Sequence, residues 1–337
     1  MATRKKGEAI GKLSDDRSMS CSRLPALLGY SPYSTPNDEL QKSIDALERK
    51  SNREDPQSDS PAFWGNKFEG QILQSTADRI GVDADIEILE RVTHKEIPLQ
   101  GSLDGIGKGT GQVIHTDSSV GKQKRKNKNI FVIGADSITL DGPGVLEAKL
   151  TGSPAKADPE PFRGPVQVQG LMMCTGYKWA AIGTLYRGTD LKIYLCPQDK
   201  SLQEKIRFEV KDFQSRIDLF SNDGVTDWYK ALNPNDAANT YHFLDDDKKP
   251  ITLPEKLSEL AMEYLDNEAA AKALASHKRE IMTVLMDYMG AKEKAMVIEN
   301  GKTVAEVIWG MTPPRTEYVV KARPAQRSKS IKIKGYH

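Results

Sequence analysis

The sequence predicts an α/β layer in which a central sheet is covered by helices. Three observations carry this reading. Apolar residues recur every three or four positions in some segments and alternate or run continuously in others. These segments follow the order helices, antiparallel strands, helix, two strands, helix, an order in which helices cover a sheet. The 337 residues are ample for a buried core, and suit two domains or one elaborated domain.

In chain order, residues 1–16 are polar and charged with no apolar centre, which reads as a frayed tail and not as a secretory signal. Residues 20–28 predict a short helix, capped by Ser20 or Ser22 and ended by Gly29. A turn-rich loop, 30–37, leads to Leu40, Ile44 and Leu47 at helical spacing, and 50–61 is a charged, proline-bearing loop. Residues 61–80 predict a helix whose apolar side is Phe63, Trp64, Phe68, Ile72, Leu73, Ala77 and Ile80, with Gly81 as its stop. Gly65 lets another element come close, and Glu69 lies on the stripe's margin, either as a solvated edge residue or leaning into a site. Strands are expected at 86–92 and 97–106, followed by a long excursion, 107–143, in which 131–133 adds a strand. A strand at 144–150, a helix at 164–176 and strands at 179–186 and 191–196 come next, the last two joined by a turn at 187–190. Leu202, Ile206, Val210, Phe213, Ile217 and Phe220 mark an amphipathic helix over 201–220. After a loop-like stretch, 221–252, residues 253–289 read as one long helix or as two with a break near Asp266-Asn267. Asn300-Gly301 is the turn of a hairpin, and 321–334 is basic.

Composition excludes several classes. Lys and Arg number 48 against 47 Asp and Glu, so a nucleic-acid partner would be met by local patches and not by total charge. Cys21, Cys174 and Cys196 are scattered, which argues against a disulfide framework, a structural zinc or an iron–sulfur cluster, and for a reducing compartment. No apolar run is long enough to span a membrane, so a cytoplasmic protein with no membrane partner is expected. The five histidines are scattered and none is assigned to a metal; Trp64, Trp179 and Trp309 are assigned to packing.

Two short runs carry chemistry: Gln100-Gly101-Ser102-Leu103-Asp104-Gly105 and Gly144-Val145-Leu146-Glu147-Ala148-Lys149-Leu150. Side chains two apart on a strand share a face, so Glu147 and Lys149 project together and Ala148 turns away. If the two strands pair, Asp104 joins them. Two carboxylates beside an ammonium suit a hard cation and metal-assisted phosphodiester hydrolysis. The plainer alternative is a salt bridge on two surface strands. The basic run around Lys124, Arg125 and Lys126 reads as a solvated loop or as a phosphate-contacting arm.

Five runs, in order, resemble a known family. Leu28-Gly29-Tyr30-Ser31-Pro32-Tyr33 resembles its "LG-x-SPY" opening, and Trp64-Gly65-Asn66-Lys67-Phe68-Glu69 its "WG…E" helix. Ser102-Leu103-Asp104-Gly105 is similar to "SPDG", and Leu146-Glu147-Ala148-Lys149 to "LE-x-K". Val166-Gln167-Val168-Gln169 with Met173-Cys174-Thr175-Gly176 resembles "QVQ…M…TG". The chain thus resembles the YqaJ-like viral recombinases, relatives of phage lambda exonuclease in the PD-(D/E)XK nuclease superfamily. It departs from the pattern at Leu103, where the family has proline, in the length between Asp104 and Glu147, and at Gly164, near which the family often has tyrosine.

The resemblance implies a restriction-endonuclease-like core with a mixed central sheet flanked by helices, and a carboxy-terminal helix and β-hairpin appendage. The layout it implies is a disordered tail, 1–17; a nuclease domain, 18–222, with an insertion at 107–143; a linker, 223–252; and a module, 253–337, with a basic tail. It implies an exonuclease that uses Mg2+, or Mn2+ in its place, to digest linear double-stranded DNA from the 5′ end in recombination by single-strand annealing. Asp104, Glu147 and the Ala148 main-chain oxygen would hold the metal. Lys149 would position water, and Glu69 would complete the outer shell or hold a second ion. Gln167 would orient Lys149 or the phosphate, with Gln169 as the fallback, and Ser102 would meet a 5′ phosphate. The implied partners are DNA ends, an annealing protein and further copies in a ring, in a bacterial or phage-infected cell. A non-catalytic DNA-binding or assembly protein and a restriction-type endonuclease are the alternatives.

Overall fold

The computed structural model describes residues 15–48, 60–86, 91–116, 129–241 and 250–308. The chain divides into two compact units, Met1–Thr240 and Tyr241–His337.

The first unit opens with β1 (Met19–Ser20), a single 3-10 turn (Cys21–Arg23) and α1 (Leu24–Leu27), and no serine side chain caps the turn. Gly29 follows in the left-handed region, φ +73°, as its position past a helix end requires. Helix α2 (Pro36–Leu47) starts with a reciprocal cap between Thr35 and Asp38. Helix α3 (Pro61–Ile80) is capped by the Ser60 hydroxyl and ended by left-handed Gly81. Then come β2 (Asp83–Asp85), β3 (Arg91–Thr93), β4 (Leu99–Ser102), β5 (Gly105–His115), β6 (Ile130–Val132), β7 (Ser137–Thr151), α4 (Pro165–Thr175), β8 (Trp179–Tyr186), β9 (Asp190–Pro197), α5 (Lys200–Asp223) and α6 (Pro234–Thr240).

The six-stranded sheet runs β2-β5-β7-β8-β9-β6 and is mixed. β5 pairs antiparallel with β7, β7 parallel with β8, and β6 parallel with β9. A parallel neighbour needs a crossover, and α4 supplies it between β7 and β8. On one face, Val145, Ala180 and Ile182 pack with Val166, Val168 and Leu171 of α4 and with Ile206, Val210 and Phe213 of α5. On the other, Leu146, Ala181, Ile193 and Leu195 pack with Leu73, Ala77 and Ile80 of α3. Burying each such aliphatic chain is worth about 1.5–3 kcal/mol, so both helical layers are held firmly. Close approach seats α3: a Cβ on Gly183 would stand 2.0 Å from Thr76 Oγ1. A smaller sheet, β1-β4-β3, lies apart in the pairing.

Four expectations need correction. The strand expected over 97–106 is two strands in different sheets, broken at Leu103 and Asp104. The excursion 107–143 is largely a ribbon: β5 continues to His115 and pairs with β7 back to Ser137, because Gln112, Val113 and Ile114 find partners in Leu140, Thr139 and Ile138. The linker 223–252 is not a linker over its first half, since the buried Asp236 of α6 accepts from Thr35 and Asn37 of the α2 start. Trp64 and Phe68 are not packed; they stand 43% and 42% exposed with stacked rings, because the apolar cover of α3 begins only at Ile72. Trp179 is buried as expected. The run 121–128, with Lys124, Arg125 and Lys126, lies outside the described residues, as do 1–14, Trp309 and the basic tail.

The second unit holds α7 (Glu255–Met289), a single helix with no break at Asp266-Asn267, and the hairpin β10 (Lys294–Glu299) and β11 (Lys302–Ile308). Asn300 and Gly301 have φ +49° and +75°, as the two central positions of this tight turn require. No helix among the described residues is long and apolar enough to cross a membrane.

Candidate active site

The site forms where β5 stops and β7 continues. Gly105 pairs with Leu146, so beyond that pair β7 has no β5 partner. Asp104 fills the gap: its Oδ2 accepts the Ala148 backbone N–H at 3.0 Å. In a strand a residue's N–H and C=O point to the same edge, so the Ala148 carbonyl faces this open edge too. The break between β4 and β5 therefore puts a carboxylate where a backbone partner would otherwise sit.

Alternation along β7 puts Glu147 and Lys149 on the face covered by α4. Lys149 Nζ donates to Glu147 Oε1 at 2.6 Å and to Gln167 Oε1 at 2.9 Å. Glu147 is 1% exposed, and its second oxygen, Oε2, is buried with no hydrogen-bond partner. An unsatisfied buried carboxylate oxygen is costly.

The electrostatics follow from this crowding. Burial, and then Asp104, push the Glu147 carboxyl above its ordinary range, against the pull of Lys149. Burial also raises Asp104, with Lys149 and the Ala148 N–H opposing. Glu69, from α3, is pushed up to about 7 by burial and by Asp104, and Lys149 opposes the rise. Burial pulls the Lys149 ammonium down, but Glu147 and Asp104 outweigh it and hold it charged. Two sheet elements and two helices thus bring Asp104, Glu147, Lys149, Gln167 and Glu69 into one electrostatic neighbourhood.

The residues fit a hard divalent cation in part. Asp104, the orphaned Glu147 Oε2 and the Ala148 carbonyl are oxygen donors, the class Mg2+ takes while keeping several waters. No cluster of three or more His, Cys, Asp or Glu side chains able to hold a metal occurs among the described residues, so Glu69 is a neighbour of the donor pair and not a third member of a cage.

Gln169 is a correction. It is buried away from this constellation: it donates to the Pro197 carbonyl at 2.8 Å and accepts from the Asp199 N–H and Gln203, which ties α4 to the start of α5. One helical residue turns toward β7 and the residue two on turns away, so only Gln167 meets Lys149. Ser102 ends β4, half-buried, opposite Arg91.

Arg163 was not singled out by sequence reasoning. It donates to Thr151 Oγ1 at the end of β7 and to Ser153 Oγ, pairs with Glu160 at 2.9 Å, and lies over the Phe162 ring. It thereby clamps the end of the Glu147 strand to the start of the Gln167 helix. An arginine in a proline-bearing loop carries no sequence signal for that role.

No protein-family model matches the chain, and no curated protein matches it. Solved structures do. The alkaline exonuclease LHK-Exo from Laribacter hongkongensis superposes with a TM-score of 0.43 at 14% identity, covering 60% of this chain and 89% of that one. A phage-related exonuclease from Haemophilus somnus 129PT superposes at 0.40 and 13% identity, covering 62% of this chain and 96% of that one. At these scores the chemistry has to be read from this chain's own residues.

Proposed function

We propose that this chain is a Mg2+-dependent exonuclease that degrades linear double-stranded DNA, from the 5′ end as the family resemblance implies. The observation that carries the reading is the buried, partnerless Oε2 of Glu147, set beside Asp104 and the open edge of Ala148. In a buried structural Glu–Lys pair both carboxylate oxygens are as a rule hydrogen-bonded.

Asp104, Glu147 and the Ala148 carbonyl would hold the cation. When bound, such an ion stabilises charge on the phosphoryl group and lowers the pKa of an attacking water. Lys149, kept protonated by the carboxylates around it, serves as a fixed cation that orients water or phosphate, not as a base. Glu147 and Gln167 take up two of its three N–H donors and so set the direction of the third. Glu69 would lie in the outer shell of a bound ion, near Asp104 and Lys149. Ser102 and the lysines and arginine at 124–126 would contact DNA phosphates, the former at a 5′ end. In this reading the protein works in a bacterial or phage-infected cytoplasm and hands single strands to an annealing partner.

The test is end-labelled linear duplex, with a 5′ phosphate or a 5′ hydroxyl, with and without Mg2+ or Mn2+. Metal-dependent release of nucleotides from the 5′ label is expected. DNA retained in gels without degradation under either metal would favour a binding protein, and cutting of closed circular DNA would favour a restriction-type endonuclease; either result overturns the proposal.

A further inference from the structure

The second unit carries a surface that the described residues leave uncovered. Helix α7 runs 35 residues, about 52 Å at 1.5 Å per residue, and only Met289 of it is buried. A helix with so little tertiary cover draws little stability from its own fold. Along it, Leu257, Leu260, Tyr264, Leu274, Ile281 and Tyr288 stand exposed. With Asn267, Ala271, Lys278 and Leu285 they form one stripe at strictly alternating steps of three and four. That is the 3.5-residue period of a coiled-coil seam, and it persists longer than the three or four heptads that mark one.

The two polar members decide what the stripe pairs with. In a parallel pair of copies, Lys278 meets Lys278 at the seam, and Glu263 meets Glu268 across its flank, both repulsive. Laid antiparallel over its full length, the helix pairs Leu257 with Tyr288, Leu260 with Leu285, Tyr264 with Ile281 and Ala271 with Leu274. The same register puts Asn267 against Lys278, so the two polar positions face each other and every other layer is apolar. The acidic flank residues then face Val284 and Ala275 in place of one another. We propose that α7 binds α7 of a second copy of this chain as an antiparallel two-stranded coiled coil, with its two-fold axis between Ala271 and Leu274.

The test uses the full chain in sedimentation equilibrium. A concentration-dependent dimer is expected, and a monomer at every concentration overturns the proposal. Leu260→Glu with Leu274→Glu, both at exposed positions, should yield a monomer; a dimer that survives both changes lies elsewhere and also overturns it. Asn267→Asp tests orientation without removing packing. It would face Lys278 twice in the antiparallel pair and tighten the dimer about fivefold, whereas a parallel pair would gain an Asp–Asp contact. A looser Asn267→Asp dimer rules out the antiparallel register.

Discussion

At the scale of the residue, the proposed function has Glu147 trade stability for chemistry. A buried carboxylate with one oxygen unpaired costs several kcal/mol that a neutral isostere would not. Glu147→Gln is therefore expected to keep or raise the melting temperature while reducing metal-dependent digestion on the order of 10²-fold or more, checked by thermal melting beside the nuclease assay. Lys149→Ala should abolish digestion with the fold intact, and full activity would remove Lys149 from the site. Gln167→Ala acts through Lys149 and should cost less, about 10–100-fold. Gln169→Ala should instead lower stability, because it removes the buried side chain that ties α4 to the Pro197 carbonyl and the Asp199 N–H.

At the scale of the element, the site depends on how α3 and α4 are seated on the sheet. Gly183→Ala would force a Cβ into Thr76 and displace α3, the helix that brings Glu69; a loss of about 1–3 kcal/mol in denaturant unfolding is expected. Arg163→Met removes the clamp between the end of β7 and the start of α4. Because it touches neither carboxylate, it should lower kcat with little change in KM. The amino-terminal segment is fastened by a buried pair, in which Arg23 Nε meets Glu39 Oε2 at 2.6 Å and the guanidinium also reaches Ser43 and the Asp16 carbonyl. Burial pushes the Glu39 carboxyl up, but Arg23, Lys42 and Ser34 together hold it below its ordinary value. Its contribution to stability is thus present above about pH 4.5 and is lost as pH falls below that. Arg23→Met should cost about 3–5 kcal/mol at neutral pH, measured by urea unfolding, because it leaves Glu39 buried and alone.

At the scale of the whole molecule, the proposed cation and the protons of the site compete for the same oxygens. Glu69 near 7 and the raised Asp104–Glu147 pair retain protons in mildly acidic solution that a divalent ion must displace. For carboxyls raised in this way, folding alone is favoured by the protonated form, so the metal-free protein loses stability as pH rises through their range. A bound divalent ion would reverse that loss by neutralising the charges. Mg2+ should therefore raise the melting temperature, and by more at about pH 8.5 than at about pH 6. An equal shift at both values would separate metal binding from these carboxyls.

Much of this protein is legible in its sequence. Helix α3 is bounded by Ser60 and Gly81, whose capping chemistry is local, and the Asn300-Gly301 turn follows from backbone preference alone. The shared face of Glu147 and Lys149 follows from strand alternation, and the motif order brings Gln167 and Glu69 into the argument. Tertiary structure decided the rest, because the rest depends on pairing across long separations. Only the split of 97–106 between two sheets shows that Asp104 takes the place of a backbone partner at Ala148. Only the register of β5 on β7 turns residues 107–115 and 137–143 from excursion into ribbon, and only the rotation of α4 on the sheet selects Gln167 over Gln169. Local sequence sets which conformations a segment prefers; which buried oxygen is left without a partner is settled by the elements that close around it.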